Sequence, residues 1–307
     1  MTQLQLVAAA LAAALFTLPA SAQFGRRAQQ PPALEHFYFD SWDFDAPHAR
    51  GGEASYYIYL PKEHDHEKNQ DRKFPWVLWC PGFGGPDDFQ SRGGASTLDR
   101  LRGEGKIPEL ALVVFRAPGR RSRTTYMNGE SGGDIEDLIV EDLVAHLQTR
   151  YRLSDKREHR AEHVGVPQRD LHRAEPAGYA ESTVYRYLRG GIAQHLGDPI
   201  DKDKWAEQMP MGLVARRTPT QLKGLQIYFD AGTDDHYGFF EPNQQLAAAM
   251  KARGHRFVFH PVEEGGHAWS SPKMRDNVAR SLTFVGAALS GEDPVGAADA
   301  RTRAGKK

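Results

Sequence analysis

Apolar positions along this chain fall into short unbroken runs separated by amphipathic stretches. Trp76–Cys80 (Trp-Val-Leu-Trp-Cys) and Leu110–Phe115 (Leu-Ala-Leu-Val-Val-Phe) are continuous and of strand length. Such runs mark strands covered on both faces. Ser55–Leu60 is aromatic and β-rich and reads as a further strand, followed by a charged loop over residues 62–73. Between Asp134 and Tyr151, the residues Ile135, Leu138, Ile139, Leu143 and Leu147 recur at helical spacing. Acidic residues stand in the first turn, where the helix dipole favours them. After a poorly patterned middle, alternation resumes. Leu225–Phe229 reads as a strand, Glu241–Arg253 as a helix ended by Gly254, Arg256–His260 as a strand and Pro272–Leu289 as a closing helix. Buried strands alternating with amphipathic helices predict an α/β domain, a mostly parallel sheet with helices on both faces.

The ends of the chain read differently. Leu4–Leu18 is an Ala/Leu-rich run followed by Pro19-Ala20-Ser21-Ala22-Gln23. The run is too short to span a membrane and ends in a small-residue cleavage pattern, so residues 1–22 are expected to be a signal peptide. Its opening residues lack the usual Lys or Arg. The expected product is secreted or periplasmic, with no membrane span after cleavage. Residues 23–50 read as a linker and N-terminal strand region, 51–290 as the α/β domain and 291–307 as an unstructured polar tail.

A formal net charge of -1 gives no support to nucleic acid as a partner. The single cysteine, Cys80, excludes an internal disulfide and a Cys-rich metal site, and its apolar surroundings predict a buried free thiol. Glu63-His64-Asp65-His66 reads as a solvated loop rather than a metal site. No metal and no cofactor are expected, and the sequence does not specify an oligomeric state.

In a parallel α/β sheet, ligands sit at the carboxyl ends of the strands. The loop after the 225–229 run carries Asp230-Ala231-Gly232-Thr233-Asp234-Asp235-His236, and the loop after 256–260 carries Glu263-Glu264-Gly265-Gly266-His267-Ala268-Trp269. An acid followed by a histidine on successive strand-end loops is the order a Ser…Asp…His hydrolase requires. Asp235 is the first choice of acid and Asp234 the alternative, beside the plainer reading of an Asp-rich turn as a helix cap. His267 is the candidate base. Pro81-Gly82-Phe83-Gly84-Gly85 reads as a glycine-rich turn whose Phe83 N–H would face an oxyanion, or as a tight turn without a catalytic part.

Residues 51–160 and 191–289 resemble the esterase D-like family of α/β hydrolases, which includes feruloyl and acetyl-xylan esterases, S-formylglutathione hydrolases and mycolyltransferases. The matching pieces are Tyr57-Ile58-Tyr59-Leu60-Pro61, the 81–85 turn, Glu141-Asp142-Leu143 leading to Arg150-Tyr151-Arg152, and Glu158-His159-Arg160-Ala161. They continue with Gly197-Asp198-Pro199, Gly232-Thr233-Asp234-Asp235 and Gly265-Gly266-His267-Ala268-Trp269. Pro81 stands where the family usually has histidine. The resemblance implies an α/β-hydrolase fold and serine ester hydrolysis of a small-molecule or carbohydrate ester. The rival expectation is a catalytically inactive binding protein on the same scaffold.

The nucleophile is the departure. The resemblance places a serine elbow, G-x-S-x-G, just after Glu-His-Arg-Ala. Here Gly165 and Val166 fit its start, but Pro167 takes the serine's position and Arg169 that of the second glycine. From Ala161 to Gly190 the aliphatic residues are only Val164, Val166, Leu171, Val184 and Leu188, too few for a buried helix and strand. The segment 162–190 is therefore expected to be irregular, as in a stretch read out of register. Gly129-Glu130-Ser131-Gly132-Gly133 matches the elbow pattern but follows a polar stretch rather than a strand, so Ser131 reads as a helix cap. Ser182 has no glycine elbow.

Overall fold

The computed structural model describes residues 33–82, 85–118, 126, 128–129, 133–164, 199, 201, 203–204, 207, 209–267 and 271–298. The strands are β1 Phe37–Asp45, β2 Glu53–Pro61, β3 Trp76–Cys80, β4 Ala111–Arg116, the short pair β5 Asn128–Gly129 and β6 Gly133–Asp134, β7 Arg160–Val164, β8 Tyr228–Gly232 and β9 Val258–Val262. The helices are α1 Asp87–Ser91, α2 Gly94–Gly103, a rod α3, then α4 Pro210–Arg216, α5 Phe240–Ala252 and α6 Pro272–Leu289. The rod α3 joins Ile135–Asp137, a π-helical Leu138–Leu143 and Val144–Arg150.

The main sheet has the order β1-β2-β4-β3-β7. β1 pairs antiparallel with β2, and β2 with β4, while β3 runs parallel to both β4 and β7. β8 and β9 pair parallel in a separate ribbon. Strand alternation sorts the core into two layers. Tyr56, Ile58, Trp76, Leu78, Ala111 and Val113 join Ile135, Leu138, Leu143 and Leu147 of α3 on one face. On the other, Tyr57, Tyr59, Val77, Trp79, Leu112 and Val114 meet Leu98 and Leu101 of α2 and Leu282 and Leu289 of α6. Helices therefore cover both faces, as expected of an α/β-hydrolase fold, but the main sheet is mixed rather than mostly parallel: β1, β2 and β4 pair antiparallel, and β4, β3 and β7 parallel. α6 packs against β7, β8 and β9 and so spans the main sheet and the ribbon.

Several boundaries differ from expectation. β8 begins three residues after the predicted strand start, because Leu225 is 43% exposed and the pairing with β9 runs on to Gly232. Asp230 is accommodated inside β8 by Asn277 of α6, whose Nδ2 donates to it at 2.6 Å. The block expected to be irregular from residue 162 begins within a strand, since Arg160–Val164 pair with β3. Parallel pairing with a buried apolar strand holds Glu162 and His163 in β structure despite their polarity. The remainder of that block, 165–190, lies outside the described residues.

The stretch 62–73 is not a plain solvated loop. Lys62–Asp65 and Glu67–Asn69 are 3-10 turns, and His64 is buried, its Nδ1 2.9 Å from Asp65 Oδ1. The tail, expected to be unstructured from Gly291, starts with a helical turn at 294–298 in which Val295 is buried. Arg256 anchors that turn by bonding Asp293 at 2.6 and 2.7 Å. Among the described residues no helix is long and apolar enough to cross a membrane.

Candidate active site

Two loops at the carboxyl ends of β8 and β9 build the site. Their backbones interlock: Thr233 N–H donates to Val262 O at 3.0 Å and Asp234 N–H to Gly265 O at 2.9 Å. Glu264 N–H returns to Thr233 Oγ1 at 2.9 Å. The approach is close enough to require glycine at 232, where a Cβ would lie 2.1 Å from Gly265 O and 2.4 Å from Gly265 C. Glu264 takes a positive φ of 54° to complete the second turn, and its carboxylate is paired with Lys273 of α6.

This docking brings Asp235 and His267 together. His267 Nδ1 lies 2.9 Å from Asp235 Oδ2. The Asp235 side chain is 4% exposed and that of His267 25%. An ionised carboxylate only accepts, so the bond places the neutral ring's proton on Nδ1 and leaves Nε2 with a lone pair. The other carboxylate oxygen, Oδ1, accepts the Tyr237 N–H at 2.8 Å. Asp234, the alternative acid, instead accepts from Thr233 Oγ1 at 3.3 Å. Of the two acids, the structure brings Asp235 to the histidine.

Aromatic rings wall the imidazole. Tyr237 meets His267 edge-on at 4.6 Å between centroids, Phe239 lies at 4.9 Å and His236 at 6.0 Å. Sequence reasoning singled out none of these rings. Their signal was the run His236-Tyr237-Gly238-Phe239-Phe240 directly after the acid, dense in aromatics for a strand-end loop.

At the carboxyl end of β3, Cys80 is fully buried as expected, its Sγ 3.6 Å from Glu162 Oε1 on β7. Burial, reinforced by the Glu162 carboxylate, pushes the thiol's pKa well up, so Cys80 is held as an inert thiol. Next to it, Pro81 O accepts a hydrogen bond from the Tyr126 hydroxyl. Tyr126 holds a positive φ of 60°, a strained conformation for a non-glycine residue. Phe83, the expected oxyanion donor, lies outside the described residues, as do Ser131, Pro167, Arg169 and Ser182. Among the described residues no three His, Cys, Asp or Glu side chains are grouped to hold a metal ion.

No protein-family model matches the chain, and a comparison with curated proteins found no match. Solved structures do match in fold. A ferulic acid esterase superposes with a TM-score of 0.63 at 18% identity, over 83% of this chain and 99% of the other. An S-formylglutathione hydrolase from Agrobacterium tumefaciens gives 0.61 at 12% identity, covering 85% and 98%. A ferulic acid esterase of the anaerobic fungus Anaeromyces mucronatus gives 0.53 at 13%, covering 85% and 94%. The chain has the α/β-hydrolase fold over nearly the full length of these structures.

Proposed function

We propose that this chain is a carboxylic ester hydrolase of the serine/histidine/aspartate, acyl-enzyme type, with Asp235 and His267 as its acid–base pair. The observation that carries the reading is the 2.9 Å bond between the enclosed Asp235 carboxylate and the partly exposed His267 ring. In this mechanism Nε2 of His267 takes the proton of a serine hydroxyl as its oxygen attacks the ester carbonyl carbon. The Phe83 N–H is the proposed donor to the oxyanion. The proton then passes to the leaving alcohol, and water, activated by the same nitrogen, releases the acid. Asp235 fixes the tautomer and stabilises the imidazolium.

The nucleophile is not assigned, because Pro167 occupies the position the resemblance gives it. That substitution, with Arg169 two residues on, favours the second reading, an inactive α/β-hydrolase-like binding protein. The N-terminal run 4–18 with its small-residue end supports export, and residues 1–22 are proposed as its signal. The ferulic acid esterase likeness together with export supports a carbohydrate ester as substrate.

Hydrolysis of p-nitrophenyl acetate by the purified chain beside His267→Ala separates the readings. Activity that disappears with the substitution is expected. A folded wild type, shown by a cooperative melt, that hydrolyses no faster than His267→Ala rejects the enzyme reading in favour of the second.

A further inference from the structure

A cavity of about 290 Å³ lies at the amino-terminal ends of the strands, away from the carboxyl-end loops that carry Asp235 and His267. Lys73, just before β3, lines it with Gln148, Thr149 and Arg150 at the end of α3. The adjoining Arg152 and Gln70 complete the polar wall. The Phe74 N–H donates to Arg152 O at 2.8 Å, which fixes this corner to the start of β3.

Its charge is unbalanced. Asp71 is the one carboxylate among the lining residues, against Lys73, Arg150 and Arg152. Among the described residues neither arginine has a carboxylate partner. The Arg152 Nε is enclosed and bonds nothing. Arg150 stacks on the exposed ring of Trp42, 3.6 Å from guanidinium carbon to centroid, and so is held in place by a π face rather than by an acid. Lys73 meets Asp155 at 3.2 Å, but both are more than half exposed, and such a pair is weak enough for Lys73 to turn to a ligand. Guanidinium groups without acids present forked donors that match carboxylate or phosphate oxygens. The amides of Gln70 and Gln148 are donor–acceptor groups suited to alcohols, and the Thr149 hydroxyl, whose proton goes to Ala145 O at 2.9 Å, keeps its acceptor for a ligand hydroxyl.

We propose that this cavity binds a hydroxylated anion, a sugar acid or sugar phosphate, with Arg150, Arg152 and Lys73 on its charged group and Gln70, Gln148 and Thr149 on its hydroxyls. The site stands independently of the ester-hydrolase reading, since it shares no residue with that machinery.

Titration calorimetry on the full chain at low salt tests it, with glucuronate, glucose 6-phosphate, inorganic phosphate and glucose as probes. Glucuronate or glucose 6-phosphate is expected to bind and glucose not to; which of the two binds tighter distinguishes a carboxylate source from a phosphate one. Arg150→Gln is expected to weaken binding roughly tenfold or more, the loss of a charged hydrogen bond. Lys73→Gln, at an exposed position, carries the same test should Arg150→Gln lower the melting temperature. His267→Ala is expected to leave binding unchanged. Three outcomes overturn the proposal: neither sugar anion binds more tightly than glucose, inorganic phosphate binds as tightly as both, or binding survives both substitutions.

Discussion

Both oxygens of the Asp235 carboxylate are committed, one to His267 Nδ1 and one to the Tyr237 N–H. Replacing the carboxylate by an amide keeps the size but supplies a donor or a weaker acceptor toward Nδ1, which favours the wrong tautomer. Asp235→Asn is therefore expected to remove most of whatever ester hydrolysis the wild type shows, with KM little changed, whereas Asp234→Asn changes neither much. Steady-state kinetics on the two variants decides it, and a larger loss in Asp234→Asn would reverse the assignment.

Burial pushes the Asp230 carboxyl up to about 6, against smaller opposing contributions from Tyr228 and Asn277. An acid that holds its proton more tightly folded than unfolded stabilises the fold least when both states are ionised. Stability from this group is thus greatest below about pH 4 and declines as pH rises to about 6, by at most roughly 3 kcal/mol. Asp230→Asn is expected to flatten the melting-temperature profile over that window, and parallel profiles for the two proteins would show that Asp230 is not the source.

At the level of elements, the core strands were legible because burial on both faces leaves an unbroken apolar run. Val77 and Trp79 point to one layer while Leu78 and Cys80 point to the other, so none of them could be polar. α6 was legible end to end from Pro272 to Leu289, since a proline opens it and its apolar face is regular. β8 and β9 were displaced by a few residues for a physical reason. Their carboxyl ends carry Asp230, Gly232 and Pro261, residues poor in β-propensity that tertiary contacts hold in the ribbon. α1 and α2 went unread because Gly93-Gly94 looks like a loop. In the fold Gly93 takes φ 87°, and Gly94 packs against Phe89 with no room for a Cβ. The acid and histidine were legible from loop order, but the docking that joins them rests on Gly232, which stands in the Gly-Thr-Asp-Asp motif without its packing role being readable from the sequence. Gly232→Ala would drive a methyl into the Gly265 peptide. The expected result is a destabilisation of about 1–3 kcal/mol in thermal or denaturant melts, with a separated Asp235–His267 pair and loss of whatever esterase activity the wild type has. An alanine variant with wild-type stability would mean the two loops can part without cost.

For the whole molecule, the main sheet, the ribbon and helices on both faces agree with one another and with the fold of solved esterases, and the disagreement is concentrated in one block of sequence. β7 carries the main sheet as far as Val164, and the sequence pattern fails beyond it. Pro167 is one symptom. Arg169 stands where a second glycine would let the chain turn tightly, and the residues to Gly190 hold too few aliphatics to seat a helix beneath a nucleophile. A serine hydrolase needs its Oγ held on a strained turn, with its neighbouring N–H aimed at the oxyanion, and a hydroxyl without that turn has neither property. Pro167→Ser alone is therefore expected to leave p-nitrophenyl acetate hydrolysis within about twofold of the wild type, whereas each catalytic element restored together is worth orders of magnitude. A gain of tenfold or more from that single substitution would show that the elbow geometry is intact and that only its hydroxyl is missing. The coding DNA offers an independent check. If 162–190 is read out of register, one of the other two frames encodes a strand, a G-x-S-x-G and an apolar helix. If neither frame does, the block diverged in frame, and the acid–histidine pair persists on a scaffold whose nucleophile was lost by substitution.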